Sequence, residues 1–247
     1  RAKATCPACK MVLVADRVRA QLREQRGGAN VTFDPKGHRT GGARLLSVVT
    51  LKEGQAGRQY RLPNDRDYQT VWNAAKALKK LFAERSDQKG GATSNLNPIP
   101  DEPTPTGGGS GAGRAFSVQK YGMMQWGDLF NIRQSLSMFH LIDARRKILK
   151  ELKAGEWLWD VTALLVSKHA ELMSANCPWE PEAECPRKTY NMQALPIRWE
   201  FAEGVVTSDS SGGIVVTLDN TIATLEKIGS NWAIGSTELA DACSSPL

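Results

Sequence analysis

Apolar side chains recur along this chain at spacings that predict several elements. Behind Pro63-Asn64-Asp65, the positions Tyr68, Val71, Trp72, Ala75, Leu78 and Phe82 fall on one face of a helix running from about Arg66 to Ala83. A second helix is predicted from Ile132 towards Leu152, with Leu136, Phe139, Ile142 and Leu149 inward and Arg145-Arg146-Lys147 outward. Asn131 opens it, and Gln134 three residues later completes a capping-box pattern. After Gly155 a third helix carries Leu158, Val161, Leu164, Leu165, His169 and Leu172. The stretch from about Val215 to Ile228 mixes helix and strand character and is taken as helix. Before residue 63 the runs are short. Residues 12–14, 45–51 and 59–62 read as strands, separated by the glycine turns Arg26-Gly27-Gly28 and Gly41-Gly42.

These elements predict a mixed α+β chain in three parts: a β-rich module with one helix over 1–85, a Gly/Pro-rich linker over 86–114, and a helical body over 115–247. Within the linker, Pro98-Ile99-Pro100-Asp101-Glu102-Pro103 is stiff enough to lie extended across a neighbouring surface. The chain turns on Tyr121-Gly122-Met123-Met124-Gln125-Trp126-Gly127-Asp128-Leu129-Phe130. There two glycines allow tight turns while large apolar groups are presented between them.

Charge changes the picture. Residues 1–61 hold thirteen Lys/Arg against four acids, a balance of +9, whereas the whole chain carries +6, so the remainder sums to −3. A basic module on a near-neutral body is the footprint of a polyanion binder, most simply of nucleic acid. Arg23, Arg26, Arg39, Arg44 and Arg58, close to glycine turns or on short elements, are the candidates for phosphate contacts.

Five cysteines do not make a disulfide framework. Cys6-Pro7-Ala8-Cys9 has the spacing of half a tetrahedral zinc site, and three readings stay open for it: a zinc half-site, a redox pair, or inert thiols. His-Glu-x-x-His does not occur, and Gly107–Gly111 lacks the Lys-Ser/Thr of a phosphate loop. No apolar run reaches membrane-spanning length, and no signal-peptide pattern begins the sequence, so a cytoplasmic setting without a membrane partner is expected. The sequence starts at Arg1 and reads as a piece of a longer or processed protein.

Taken in order, Pro100-Asp101-Glu102-Pro103, Tyr121-Gly122 through Trp126-Gly127-Asp128-Leu129-Phe130 with Arg133-Gln134, Asn176-Cys177, Gln193-Ala194-Leu195-Pro196, Trp199-Glu200-Phe201-Ala202-Glu203 and Ser210-Ser211-Gly212 resemble the large adenine-specific DNA methylases that carry an inserted zinc ribbon. Cys6 and Cys9 look like the second knuckle of that ribbon, which makes them zinc ligands by resemblance. The resemblance implies a small zinc-ribbon-like module followed by a helical region belonging to a Rossmann-like S-adenosylmethionine methyltransferase. The implied chemistry is methyl transfer to the exocyclic amine of adenine in double-stranded DNA. It places the family's Phe-x-Gly-x-Gly cofactor loop and Pro-Pro-Tyr catalytic loop outside this sequence, in the remaining segments of a parent enzyme, and leaves no catalytic residue within it. Leu239-Ala240-Asp241-Ala242 is similar to the family's Gly-Asp-Ala, which implies that Asp241 contacts the cofactor. By the same comparison, Trp126, Asp128 and Phe130 shape the wall of a DNA or cofactor cleft where the chain rejoins the methyltransferase body. The competing reading is a non-catalytic, zinc-dependent nucleic-acid-binding or scaffolding protein.

Overall fold

The structure, a computed structural model, describes residues 4–228 except 53, 55–56, 87–98, 110–112, 114 and 191. Among these residues the chain is mixed α and β: five α-helices and four small antiparallel sheets of two strands each. Strands β1 (Ala4–Thr5) and β2 (Val12–Leu13) pair first, followed by helix α1 (Ala15–Glu24). Then come the hairpins β3 (Val31–Phe33) with β4 (Arg39–Gly42) and β5 (Val48–Thr50) with β6 (Gln59–Arg61). Helix α2 (Asp65–Ser86), two short 3-10 turns (Val118–Tyr121 and Trp126–Leu129), α3 (Ile132–Glu151) and α4 (Glu156–Ala170) follow. The last elements are the pair β7 (Trp179–Glu180) with β8 (Cys185–Pro186), and α5 (Ile214–Ile228). A parallel sheet of the Rossmann type is not among them.

The strongly periodic segments form as their patterns demand. Helix α2 buries Val71, Ala74 and Leu78, and Trp72 packs against Phe33 of β3 with ring centroids 5.4 Å apart. Asn131 caps α3: its side chain accepts from Gln134 N, while Gln134 returns the bond to Asn131 N, each at 2.9 Å. Phe139 and Leu149 face inward from α3.

Other expectations are corrected. Helix α1 lies where the pattern of the β-rich module gives no helix; it buries no residue fully and is held by polar contacts. The run 45–51 yields only the three residues of β5. Arg145 does not face outward. Its guanidinium donates to Thr162 Oγ1 (2.8 Å) and the Trp159 carbonyl and covers the Trp159 ring, tying α3 to α4. Leu164, expected inside, is exposed, and Leu172 lies beyond the end of α4. The stiff segment expected to lie extended across a neighbouring surface does lie against the corner, through residues 100–104. Gly127 N donates to Pro100 O (2.8 Å), Trp126 N to Glu102 O (3.0 Å) and Thr104 N to Met124 O (2.9 Å).

One buried cluster joins these parts: Ala29, Val118, Met123, Leu129, Ala175 and Leu195, with Phe116, Trp126, Phe130, Ile197 and Phe201 packed around it. Residues from the basic module, the corner and the body thus share one core. The two glycines of the corner explain how closely they meet. Gly122 has φ of +100°, and a Cβ there would lie 2.5 Å from Arg23 Cα of α1. A Cβ on Gly127 would meet Pro100 O at 2.6 Å. Only a residue without a side chain permits both approaches.

Candidate nucleic-acid interface

The corner is held from the basic side by α1 and the turn that ends it. Arg26 takes a left-handed backbone (φ 50°) directly after the helix, and this turns its side chain towards the corner. Its Nε lies 2.7 Å from Asp128 Oδ1, and its Nη2 donates to Gln125 Oε1 at 3.0 Å. The other oxygen of Asp128 accepts from Met124 N (2.9 Å) and Gln125 N (3.0 Å). A carboxylate with only 4% of its side chain exposed is thereby fully partnered. One turn earlier, Arg23 Nε donates to Lys120 O at 3.0 Å, and Arg19 lies over the Tyr121 ring, 5.9 Å from its centroid.

Four of the five arginines selected from the sequence therefore fall at three attachments, and Arg44 stands apart. Arg23 and Arg26 hold the corner. Arg39 donates to the carbonyls of Ala43 (3.3 Å) and Gly42 (3.2 Å) and lies over the Tyr68 ring. Arg58 donates to Glu184 O, beside the bond from Tyr60 Oη to Glu184 Oε1 (2.7 Å) and an edge contact between Tyr60 and Trp179. Arg44 is exposed at a cleft of about 240 Å³ that it lines with Leu45, Leu46, Leu62, Pro63 and Tyr68. A guanidinium carries five N–H donors in a planar fork. Arg23 and Arg58 each use one on a carbonyl, so the fork end remains for a phosphate. Trp126 and Phe130 pack against the core and Asp128 is buried beside it, which gives all three a structural place.

Cys6 and Cys9 stand on the turn between β1 and β2. Lys10 N donates to Cys6 O and Cys6 N to Met11 O, both at 2.9 Å, with Lys10 in the left-handed region (φ 58°). The nearby N–H groups of Cys9 and Ala8, and then the Cys9 side chain, favour the Cys6 thiolate and lower its thiol pKa from the ordinary value. A turn that offers N–H groups to a thiolate fits one half of a tetrahedral zinc site. Among the described residues no group of three or more His, Cys, Asp or Glu comes together, so Cys6 and Cys9 stand as a pair of thiols. His38, within chain reach of the pair, is bonded instead to Asp34 (3.1 Å). Cys177 is buried and donates to Arg187 O, and burial pushes its thiol up to about 12, so it is inert near neutral pH.

Asp241 lies outside the described residues. No helix among the described residues is long and apolar enough to cross a membrane. The sequence had not singled out Arg19, Tyr121 and Trp199 as a group. The Tyr121 and Trp199 rings meet edge-on, with centroids 5.5 Å apart. The available signal was Trp199 itself, the large apolar residue placed between Arg198 and Glu200. Comparison with known proteins finds no family model that matches this chain, and neither a curated protein nor a solved structure that matches it.

Proposed function

We propose that this chain is the DNA-holding part of a methyltransferase that moves a methyl group from S-adenosylmethionine to the exocyclic amine of adenine. The observation that supports this reading best is the ion pair of Arg26 with Asp128, which fixes the basic module to the Trp126–Phe130 stretch. By the sequence resemblance that stretch is where the chain joins the methyltransferase body. An enzyme that acts on a base in duplex DNA extrudes it at a cost of a few kcal/mol, and a rigidly mounted set of cations can hold the flanking phosphates while this happens. Arg44, the fork ends of Arg23 and Arg58, and the Nη1 group of Arg39 are the proposed contacts, with the remaining segments of the parent enzyme supplying the cofactor and catalytic loops. Asp241 is the proposed contact to the adenine amine of the cofactor. Cys6 and Cys9 would hold zinc, which would fix the β1–β2 turn. The proposed setting is the cytoplasm.

A second reading, a non-catalytic zinc-dependent nucleic-acid-binding or scaffolding protein, rests on the same arginines and on the tight turn of Cys6 and Cys9, which need no catalytic segment. One titration, made on the full-length protein that contains this chain, separates the two. Saturable binding of S-adenosylmethionine that Asp241→Ala abolishes supports the methyltransferase. Duplex binding without any cofactor binding supports the second reading. A chain that binds no duplex, or binds it with an affinity that salt leaves unchanged, overturns both.

A further inference from the structure

Trp199 is the largest side chain left in water beside the corner, with 68% of its surface exposed. Its neighbours in the segment go inward: Leu195 is buried, and Ile197 and Phe201 pack against the core. A bend at residues 199–200 turns the indole out of this alternation. The segment that carries it is clamped on both sides. Asn176 Nδ2 donates to Pro196 O (2.8 Å) while its Oδ1 accepts from Arg198 N (3.1 Å). Ile197 N donates to Ser117 Oγ (2.9 Å), and Ser117 N to Leu195 O (3.0 Å). The indole is therefore presented by a fixed backbone, which reduces the ordering cost of binding.

Its contact with Tyr121 has an interplanar angle of 82°. An edge-on pair leaves a ring face of the exposed partner uncovered. Around this pair stand cations. Arg19 covers the Tyr121 ring, Arg23 reaches the carbonyl of Lys120, and Lys120 precedes Tyr121 in the same turn. Arg19 is also paired with Asp16 at 2.7 Å, an exposed contact that a phosphate can displace. The open face of Trp199 beside cations is an arrangement that binds unpaired nucleic acid, the base stacking and the backbone meeting the charges.

We infer that Trp199 with Tyr121 is a stacking platform for an unpaired nucleobase, with Arg19, Arg23 and Lys120 receiving the flanking phosphates. The inference rests on the nucleic-acid reading above and adds a site for a strand whose bases are not paired. Proline-rich peptides also favour open Tyr/Trp surfaces; the cations favour the polyanion.

The test uses the whole chain and three labelled probes: a duplex, a single-stranded oligonucleotide of the same length, and that strand with abasic sites through its centre. The wild type binds the strand with bases more tightly than the abasic one. Trp199→Ala weakens binding of the strand with bases by about five- to a hundred-fold, and Trp199→Phe keeps most of it. The abasic strand is insensitive to either change, and a melting temperature equal to wild type shows that the exposed substitution leaves the fold intact. Duplex binding with no preference for bases over abasic sites, or a single-strand affinity that Trp199→Ala leaves unchanged, overturns the platform alone. Absence of binding to every probe overturns the nucleic-acid reading and the platform together, as does selective capture of a proline-rich peptide without any oligonucleotide.

Discussion

Arg26 and Asp128, 102 positions apart, meet at 2.7 Å through one guanidinium nitrogen and one carboxylate oxygen. The contact is lopsided: 65% of the Arg26 side chain is exposed and only 4% of that of Asp128. Water competes for the cation, but the buried anion depends on the pair and on two backbone N–H groups. Removing the anion also strands those donors. Asp128→Ala is therefore expected to destabilise by about 2–4 kcal/mol and Arg26→Ala by about 1–2 kcal/mol, with a coupling of at least about 0.5 kcal/mol in the double variant. Denaturant unfolding of the four proteins checks this, and additive effects would remove the pair from the account.

Gly122 carries the closest approach of α1 to the corner. Gly122→Ala demands both a left-handed alanine and a Cβ at 2.5 Å from Arg23 Cα, so a loss of about 2–4 kcal/mol is expected. The same variant is expected to free α1, seen as faster proteolysis between Arg17 and Arg26. An unchanged melting temperature would show that the helix seat is soft.

His169 is buried, its Nδ1 lies 3.4 Å from Thr217 Oγ1, and its Nε2 has no partner among the described residues. Burial disfavours the imidazolium and lowers its pKa. Below the ordinary histidine pKa, about 6.5, the unfolded chain binds a proton that the folded chain refuses, so stability falls as pH is lowered through that value. Unfolding free energies at pH 7.5 and 5.5 are expected to differ in that direction. His169→Gln should flatten the difference across the upper part of that window, above the range where carboxylates titrate. An unaltered slope in the variant would assign the pH dependence to other groups.

The zinc proposal has its own readout. Cobalt titrated into the wild-type chain is expected to give thiolate-to-cobalt absorption that Cys6→Ser and Cys9→Ser each reduce. Equal spectra from all three proteins would leave the pair as thiols on a turn.

What the sequence shows of this molecule follows the range of the forces involved. The cap of Asn131 on Gln134 and the stripe Val71, Leu78 were legible because their partners lie within one or two helical turns or on one helix face. Helix α1 was not. Its apolar positions are sparse, and it is secured by Arg23 on Lys120 and Arg26 on Asp128, partners that adjacency in sequence cannot supply. Arg145 was misplaced for the same reason, since its long stem lets a charged head reach across to α4. Of the candidate interface, the basic residues were legible as a charge excess. The three attachments depend on long-range contacts: Arg26 on Asp128, Arg39 over the Tyr68 ring and Arg58 on Glu184.

The proposal that the basic module holds DNA is tested most directly by the salt dependence of duplex binding. It should be measured for the wild type, for Arg44→Gln, and for a variant in which Arg23, Arg26, Arg39, Arg44 and Arg58 are all glutamine, with circular dichroism confirming the fold of each. Arg44 makes no hydrogen bond or ion pair to a described residue, so its single replacement reports binding without disturbing packing. The slope of log K against log salt is expected to lose about one unit for Arg44→Gln and several for the combined variant. Slopes and affinities equal to wild type in both variants would contradict the proposal.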